Sequence, residues 1–278
     1  MSCHPFSVEP PAGPRICVID PSWRVQAPTN EGYFFLAQRL LADESEWNAA
    51  LARASEKDGF ILDNGAFEQE TVVDQHTLTT MFGELLDAGA GSQFPMVLVS
   101  PDFPARPFEE TVAAYKRLCD RLAGQEHVML VPQSMRGDRI ALHEAFKRAA
   151  DLRAQWVGIS ILTAPIAYAT QLPLKLLGKS TRELCRSLLI YDLLQHDYIR
   201  YIPNLHLLGL GDDVENARGY ACLLGEALRS IDSHKPAKWA TVTCAGLGKF
   251  NLLASLLHCN AAWLRQQLHL NPIATEVL

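Results

Sequence analysis

Short apolar runs rich in Val, Ile and Leu recur along the chain between longer segments with helical periodicity. Few of these runs alternate apolar with polar residues, which is typical of strands buried on both faces of a parallel sheet. Seven strands are predicted, at residues 17–20, 59–63, 96–100, 128–131, 156–161, 205–210 and 229–231, with 238–242 as a candidate eighth.

Segments with helical periodicity fill most of the intervals between the runs. They are predicted at residues 108–122, 139–152, 181–196, 214–228 and 250–267. The first follows Pro107 and has Glu109 and Glu110 in its first turn, where acidic side chains complement the helix dipole. Asp212 or Asp213 is a suitable N-cap for the helix at 214–228.

The alternation of strands and helices predicts an α/β fold, a (β/α)₈ TIM barrel. We expect it to form a single domain over residues 1–278, with residues 1–16 as an irregular N-terminal arm. An open, doubly wound parallel sheet is the alternative, because strand order cannot be read from one sequence.

Composition limits the classes of protein to consider. The chain has 278 residues, of which 48% are apolar and 20% charged, and this excludes disorder for most of its length. A net charge of −6 argues against a broad basic clamp for nucleic acid but allows a local basic groove.

The sequence shows neither an apolar run of the roughly 18–20 residues needed to span a bilayer nor a signal peptide, so we expect no membrane partner and a cytoplasmic protein. The seven scattered cysteines lack a C-x-x-C pair and are typical of reduced core residues.

Polar side chains and glycines stand where the predicted strands end, which is where barrel enzymes carry their active residues. They are Asp63, Asp102, Gln133, Gly158, Gly209 and Asp232. Together they predict a polar pocket with glycines that allow close approach of a ligand. Each also has a structural interpretation, since an aspartate after a strand is often a cap and Asp63-Asn64-Gly65 is a good turn.

Six short motifs follow one another in a recognisable order. They are D-N-G-A-F (63–67), S-P-D-F-P (100–104), V-P-Q-S (131–134), V-G-I-S (157–160), L-L-G-L-G-D-D (207–213) and S-I-D-S (230–233). This order resembles that of the tRNA-guanine transglycosylase (queuine tRNA-ribosyltransferase) superfamily, whose members are (β/α)₈ barrels that exchange a guanine for a 7-deazaguanine. The resemblance covers roughly residues 59–240 through motifs rather than continuous identity.

The resemblance implies a role for each motif residue. Asp232 would be the nucleophile that attacks the sugar C1′, and Asp63 the general acid and base for the departing and entering bases. Asp102 would accept hydrogen bonds from N1–H and the 2-amino group of guanine, and Gln133 would meet its O6. The remaining base-binding positions would be the backbone at Gly158 and Ile159, the sandwiching side chains Phe67 and Leu208, and the neighbouring Gly209 and Asn64.

Two features of the tRNA enzymes are missing from the sequence. Their zinc site, C-x-C-x-x-C with a distant His, has no counterpart around Cys244, His258 and Cys259, so we expect no metal and no other cofactor. Their basic segment after the nucleophile is replaced by H-K-P-A-K-W (234–239). Both features are associated with tRNA binding, and a compact chain without them resembles the branch that inserts a 7-deazaguanine such as preQ0 into DNA, in bacteria and in phage-infected cells.

The function expected from the resemblance is therefore that of a DNA-guanine transglycosylase, a glycosyltransferase of the base-exchange type. Lys235, Lys238 and Arg106 are candidate contacts to the nucleic acid. Transglycosylation of tRNA is one alternative, and a barrel enzyme of unrelated chemistry is another. A third is a non-catalytic partner subunit, although the presence of both Asp63 and Asp232 argues against it. A homodimer is compatible with the sequence.

Overall fold

A computed structural model describes residues 15–18, 31–55, 59–65, 73–90, 95–122, 124–168, 179–209, 220, 224 and 227–233. These residues contain eight β-strands, which lie in one sheet. The strands are β1 (Arg15–Val18), β2 (Glu31–Leu36), β3 (Phe60–Asp63), β4 (Met96–Val99), β5 (Val128–Leu130), β6 (Trp156–Ser160), β7 (Asn204–Leu208) and β8 (Leu228–Ser233).

Every strand pairs in parallel with its neighbours in chain order, and β8 returns to pair with β1. The predicted α/β class with a parallel sheet is thereby confirmed, and closure between β1 and β8 rules out the open, doubly wound alternative. The fold is TIM-like. The intervals after β1 and β8, and most of that after β7, lie outside the described residues, so a complete eightfold β/α repeat stays a prediction.

The strand prediction missed β2, which has the sequence E-G-Y-F-F-L. This segment supplies the eighth strand of the barrel, whereas the candidate at 238–242 lies outside the described residues. The prediction was also wrong at Leu228, which was placed at the end of a helix and is the first residue of β8. The strand β1 begins at Arg15, and the rest of the predicted N-terminal arm lies outside the described residues.

Seven helices lie among the described residues. They are α1 (Ala37–Ala42), α2 (Glu44–Ala54), α3 (Gln75–Ala88), α4 (Phe108–Arg121), α5 (Arg139–Asp151), α6 (Thr163–Tyr168) and α7 (Lys179–Gln195), followed by a 3₁₀ turn at Tyr198–Tyr201. Asp43, Asp74 and Asp138 cap α2, α3 and α5 by accepting backbone N–H bonds. The predicted helices α4, α5 and α7 are confirmed within two residues. The helix expected at 250–267 and the caps Asp212 and Asp213 lie outside the described residues.

The core has two layers because successive side chains of a strand point to opposite faces of the sheet. The residues of the inner cluster, inside the barrel, are Phe34, Ile61, Val97, Val99, Met129, Val131 and Trp156. The outer cluster joins the other face of the strands to the helices. Because side-chain direction has a period of two, Asp63 shares the inward direction of Ile61 in β3.

A histidine lies within the inner layer. His206 of β7 is fully buried, stacks on Phe34 with ring centroids 6.0 Å apart, and shares a 2.7 Å hydrogen bond between Nδ1 and Ser230 Oγ of β8. Burial, together with the nearby charge of Arg186, lowers the pKa of His206 to about 3. The folded protein therefore keeps a neutral imidazole at pH values where an unfolded chain protonates it.

No helix in the described part of the chain is long and apolar enough to cross a membrane. Cys119 and Cys185 are free thiols, as expected for reduced cysteines. Burial raises the pKa of Cys185 to about 12, so this thiol is neutral at physiological pH.

The buried imidazole predicts a loss of stability in mild acid. An unfolded histidine binds a proton below its ordinary pKa of about 6.5, and the folded one does not until about pH 3. The unfolded state then binds more protons, so the free energy of unfolding falls as pH drops from 6.5 toward 3. Between pH 7 and pH 5 this one group contributes a fall of about 2 kcal/mol.

Urea denaturation of wild type and His206→Gln at pH 7 and pH 5 measures this contribution. The substitution perturbs packing at both pH values. The difference in free energy of unfolding between wild type and His206→Gln should nevertheless be smaller by about 2 kcal/mol at pH 5 than at pH 7. His76→Gln, on the exposed side of α3, is the matched control for the loss of a histidine side chain. If wild type and His206→Gln differ by the same free energy of unfolding at both pH values, His206 is not the group that lowers stability in acid.

Candidate active site

Four of the predicted polar residues lie at the carboxyl-terminal ends of their strands. Asp63 is the last residue of β3, Asp232 is the penultimate residue of β8, and Asp102 and Gln133 follow β4 and β5 by three residues. In a closed parallel sheet these ends form one rim, so all four residues belong to the same mouth of the barrel. Asp232 and Gln133 are buried, and Asp63 and Asp102 are half-buried.

The carboxylate of Asp102 is held by two amide side chains from neighbouring strand ends. Asn64 Nδ2 donates to Oδ1 at 3.1 Å, and Gln133 Nε2 donates to Oδ2 at 2.5 Å. Asn64 Nδ2 also donates to the carbonyl oxygen of Ser100 at 2.9 Å. Charge-assisted bonds of this kind are stronger than neutral ones, and they fix the carboxylate across the ends of β3, β4 and β5.

The side-chain amide of Gln133 has hydrogen-bonding groups that a ligand could use. Its side-chain amide is buried, and Oε1 has no hydrogen-bond partner among the residues that the structure describes. Leaving such an acceptor unpaired costs roughly 1–3 kcal/mol, which a ligand N–H group would recover. The Nε2 group carries a second hydrogen besides the one donated to Asp102. The amide can therefore offer an acceptor and a donor side by side.

The turn after β3 owes its shape to a residue that the sequence analysis missed. Gln38 of α1 donates from Nε2 to the carbonyl oxygen of Asn64 at 2.6 Å. Gly65 has φ +68°, and a Cβ atom there would lie 1.4 Å from Gln38 Oε1. The glycine of the D-N-G motif is thus favoured by the backbone conformation, and a larger residue would also displace the Gln38 side chain. Asn64 donates to Asp102, and its predicted contact with the base stays a prediction.

The proposed nucleophile is held from the neighbouring strand. The Gly209 N–H group, directly after β7, donates to Asp232 Oδ2 at 2.7 Å. Gly209 has φ +71°, a conformation that favours glycine. The fully buried Arg186 of α7 donates from Nη2 to the carbonyl oxygens of Leu208, at 2.9 Å, and Gly209, at 3.3 Å. Arg186 was missed in the sequence, where its one signal is a cation inside the apolar C-R-S-L-L-I run.

The other predicted glycine has a packing role. A Cβ atom on Gly158 would lie 2.8 Å from Leu208 Cδ1 and 3.0 Å from both Met129 Sδ and Val131 Cγ2. Leu208 therefore packs close to Gly158, and a larger residue at this position would displace it. Ile159 is fully buried in the outer cluster, so only its backbone is available to a ligand.

A groove of about 730 Å³ runs between α4 and α5, outside the barrel. Gln133 and Ser134 line its end nearest the rim. The lining also includes charged side chains of both signs, namely Glu109, Lys116, Glu144 and Arg148. None of the three rim aspartates lines this groove.

Of the predicted nucleic-acid contacts, the structure describes Arg106. Its exposed guanidinium lies 3.3 Å from Glu110 and over the ring of Phe103. An exposed pair of this kind contributes little to stability and exchanges readily for another anion. Lys235, Lys238 and the base-stacking Phe67 lie outside the described residues.

The described residues contain no cluster of three His, Cys, Asp or Glu side chains that could hold a metal ion. Cys244, His258 and Cys259 lie outside the described residues, so the expectation of a zinc-free protein stays a prediction.

The amide clamp on Asp102 predicts a strong effect of Asn64→Asp. This isosteric change replaces the Nδ2 amino group, which donates twice, with one carboxylate oxygen that faces the Ser100 carbonyl and the Asp102 carboxylate. We expect the free energy of unfolding to fall by roughly 2–4 kcal/mol at pH 7, measured by urea denaturation. The loss should shrink near pH 4, where a protonated carboxyl group can donate.

Asn48→Asp, on the exposed face of α2, is the matched control and should cost less than about 0.5 kcal/mol. Equal stabilities of the two variants at pH 7 would show that Asn64 does not hold Asp102.

No protein-family model matches the chain, and no curated protein sequence matches it. The likeness to the transglycosylases therefore rests on the six motifs, and the site is defined by its own contacts: a carboxylate clamped by two amides, and a second carboxylate held by a backbone amide.

Proposed function

We propose that the protein is a DNA-guanine transglycosylase that exchanges guanine in DNA for a 7-deazaguanine such as preQ0, on a complete (β/α)₈ barrel. The observation that carries the proposal is the Asn64–Asp102–Gln133 cluster at the rim. It presents a fixed anion beside an amide with an unpaired acceptor. A planar ligand with adjacent N–H donors fits that arrangement.

Guanine supplies the complementary edge. Its O6 can accept the second Nε2 hydrogen of Gln133, whose first hydrogen is donated to Asp102. Its 2-amino group and N1–H give Asp102 the donors that a carboxylate requires. Adenine has no hydrogen at N1 and no 2-amino group, so it cannot supply the two donors that guanine offers to Asp102, at a cost of roughly 1–3 kcal/mol or more.

The exchange proceeds through two displacements at the sugar C1′. The Asp232 carboxylate attacks C1′ as the C1′–N9 bond breaks, and the departing guanine takes the bonding electron pair and a proton supplied by Asp63. The incoming base then loses its N9 proton, or the equivalent proton of a 7-deazaguanine, to Asp63. Its nitrogen attacks C1′ and the ester bond to Asp232 breaks, which regenerates the enzyme.

This chemistry requires a nucleophile and one proton carrier and involves no oxidation or reduction, so the proposal includes no cofactor. The target base must leave its stack to reach a pocket at the barrel mouth, as for other enzymes that act on bases. DNA is preferred to tRNA because the zinc-site spacing and the basic segment of the tRNA enzymes are missing from the sequence. We place the reaction in the cytoplasm, with DNA and free base as partners.

Uptake of labelled base decides between the two polymers. Protein incubated with radiolabelled guanine and, in separate reactions, with DNA or tRNA should transfer label to DNA and not to tRNA. Label in tRNA alone would support the tRNA alternative and overturn the DNA proposal. Label in neither polymer would favour a non-catalytic subunit or unrelated chemistry.

The nucleophile assignment predicts which variant loses the covalent intermediate. Asp232→Asn should form no protein–DNA adduct under denaturing electrophoresis and should slow base exchange by at least about a thousandfold. Asp63→Asn should still form some adduct but accumulate it, because the entering base is not deprotonated. Asp120→Asn, on the exposed face of α4, is the control for a surface charge change and should behave as wild type. Full exchange by Asp232→Asn would disprove the assignment.

A further inference from the structure

One peptide group connects a buried cation to the proposed nucleophile. In the peptide group between Leu208 and Gly209, the carbonyl oxygen of Leu208 accepts a hydrogen bond from Arg186 Nη2 at 2.9 Å. The N–H of the same peptide group donates to Asp232 Oδ2, at 2.7 Å. Arg186, one peptide group and Asp232 therefore form a continuous chain of two hydrogen bonds.

The arginine is in an environment where a charge is costly. Arg186 is fully buried in α7, and removal of a guanidinium from water carries a penalty of several kcal/mol that only good hydrogen bonding offsets. Its Nη2 group uses two backbone carbonyls, of Leu208 and Gly209, both at the end of β7. The positive charge of Arg186 also acts inside the barrel, where it contributes to the lowered pKa of His206.

Hydrogen bonds in such a chain polarise one another. A cation bound to the carbonyl oxygen withdraws electron density from the peptide nitrogen, so that the N–H group becomes a better donor to an anion. The left-handed conformation at Gly209 belongs to the turn that carries this N–H group. A side chain there would be strained and would meet Ile161 Cγ2 at 2.7 Å.

We propose that Arg186 is a positioning residue for Asp232: through the Leu208–Gly209 peptide it fixes the carboxylate in the orientation from which it attacks the sugar. This inference rests on the proposed function, in which Asp232 is the nucleophile. Arg186 itself touches neither the base nor the reacting atoms. Its loss should slow formation of the covalent bond and leave recognition of guanine, which depends on the Asp102 cluster across the rim, unchanged.

The test compares Arg186→Met, Arg186→Lys and the control Arg229→Met. Arg229 also joins β7 to β8, through Nε to Asn204 Oδ1 at 3.0 Å, but at the amino-terminal end of these strands. Two quantities are measured for each protein: the rate of adduct formation at saturating DNA, and the dissociation constant of free guanine. Thermal unfolding and circular dichroism check that each variant is folded.

For Arg186→Met we expect adduct formation to slow roughly ten- to a hundredfold, the effect of weakening one hydrogen bond to a charged group, with guanine affinity within about twofold. Arg186→Lys keeps the charge but lacks the planar guanidinium group, so its rate of adduct formation should lie between those of wild type and Arg186→Met. Arg229→Met should match wild type in both quantities. Unchanged adduct formation in a folded Arg186→Met, or a parallel loss of rate and guanine affinity, would overturn the inference. If Arg186→Met does not fold, the same comparison is made with Arg186→Lys.

A second readout does not depend on the reaction. Hydrogen exchange of the Gly209 amide, followed by NMR in protein labelled with ¹⁵N-glycine, reports the bond to Asp232 directly. It should be at least about tenfold faster in the Arg186 variants than in wild type and Arg229→Met. If wild type forms no adduct at all, the proposed function fails, yet faster exchange still supports the positioning role. Unchanged exchange in the Arg186 variants rejects that role whether or not the enzyme reacts.

Discussion

Pairing of β8 with β1 closes the parallel sheet, and this closure determines where every other group lies. Once the sheet is closed, each strand has one face toward the barrel interior and one toward the helices, with a period of two residues. The apolar residues accordingly separate into an inner and an outer cluster. Closure also brings all the carboxyl-terminal strand ends to one rim, so residues far apart in sequence share a single site.

The rim has two regions with different contacts. The ends of β3, β4 and β5 carry Asp102 between the amides of Asn64 and Gln133, an arrangement suited to recognising a flat, donor-rich ligand. The ends of β7 and β8 carry Asp232 and the Gly209 amide that holds it. Under the proposed function, this separation would allow one region to select the base while the other reacts with the sugar.

The parallel α/β class could be predicted from the sequence, and so could the position of four polar residues at the rim, namely Asp63, Asp102, Gln133 and Asp232. Both predictions succeeded because a buried parallel strand ends where an apolar run ends in the sequence. The strand prediction failed at β2, where E-G-Y-F-F-L continues into α1 without a Gly or Pro to mark the boundary, and Gln38 was lost with it. Arg186 could not be found, since a cation inside a helix usually faces water and only packing reveals that this one is buried. The bonds of Asn64 to Ser100 and Asp102 were not predicted for a similar reason, since they depend on the neighbouring strand.

The central claim, that the amide-clamped carboxylate recognises guanine, is tested most directly by isothermal titration of the protein with guanine and with adenine. We predict that guanine binds at one site per chain and that adenine binds at least about tenfold more weakly, because it lacks the N1–H and 2-amino donors for Asp102. Asp102→Asn should remove most of that preference. Equal binding of the two bases, or a preference for guanine that survives in Asp102→Asn, would contradict the account.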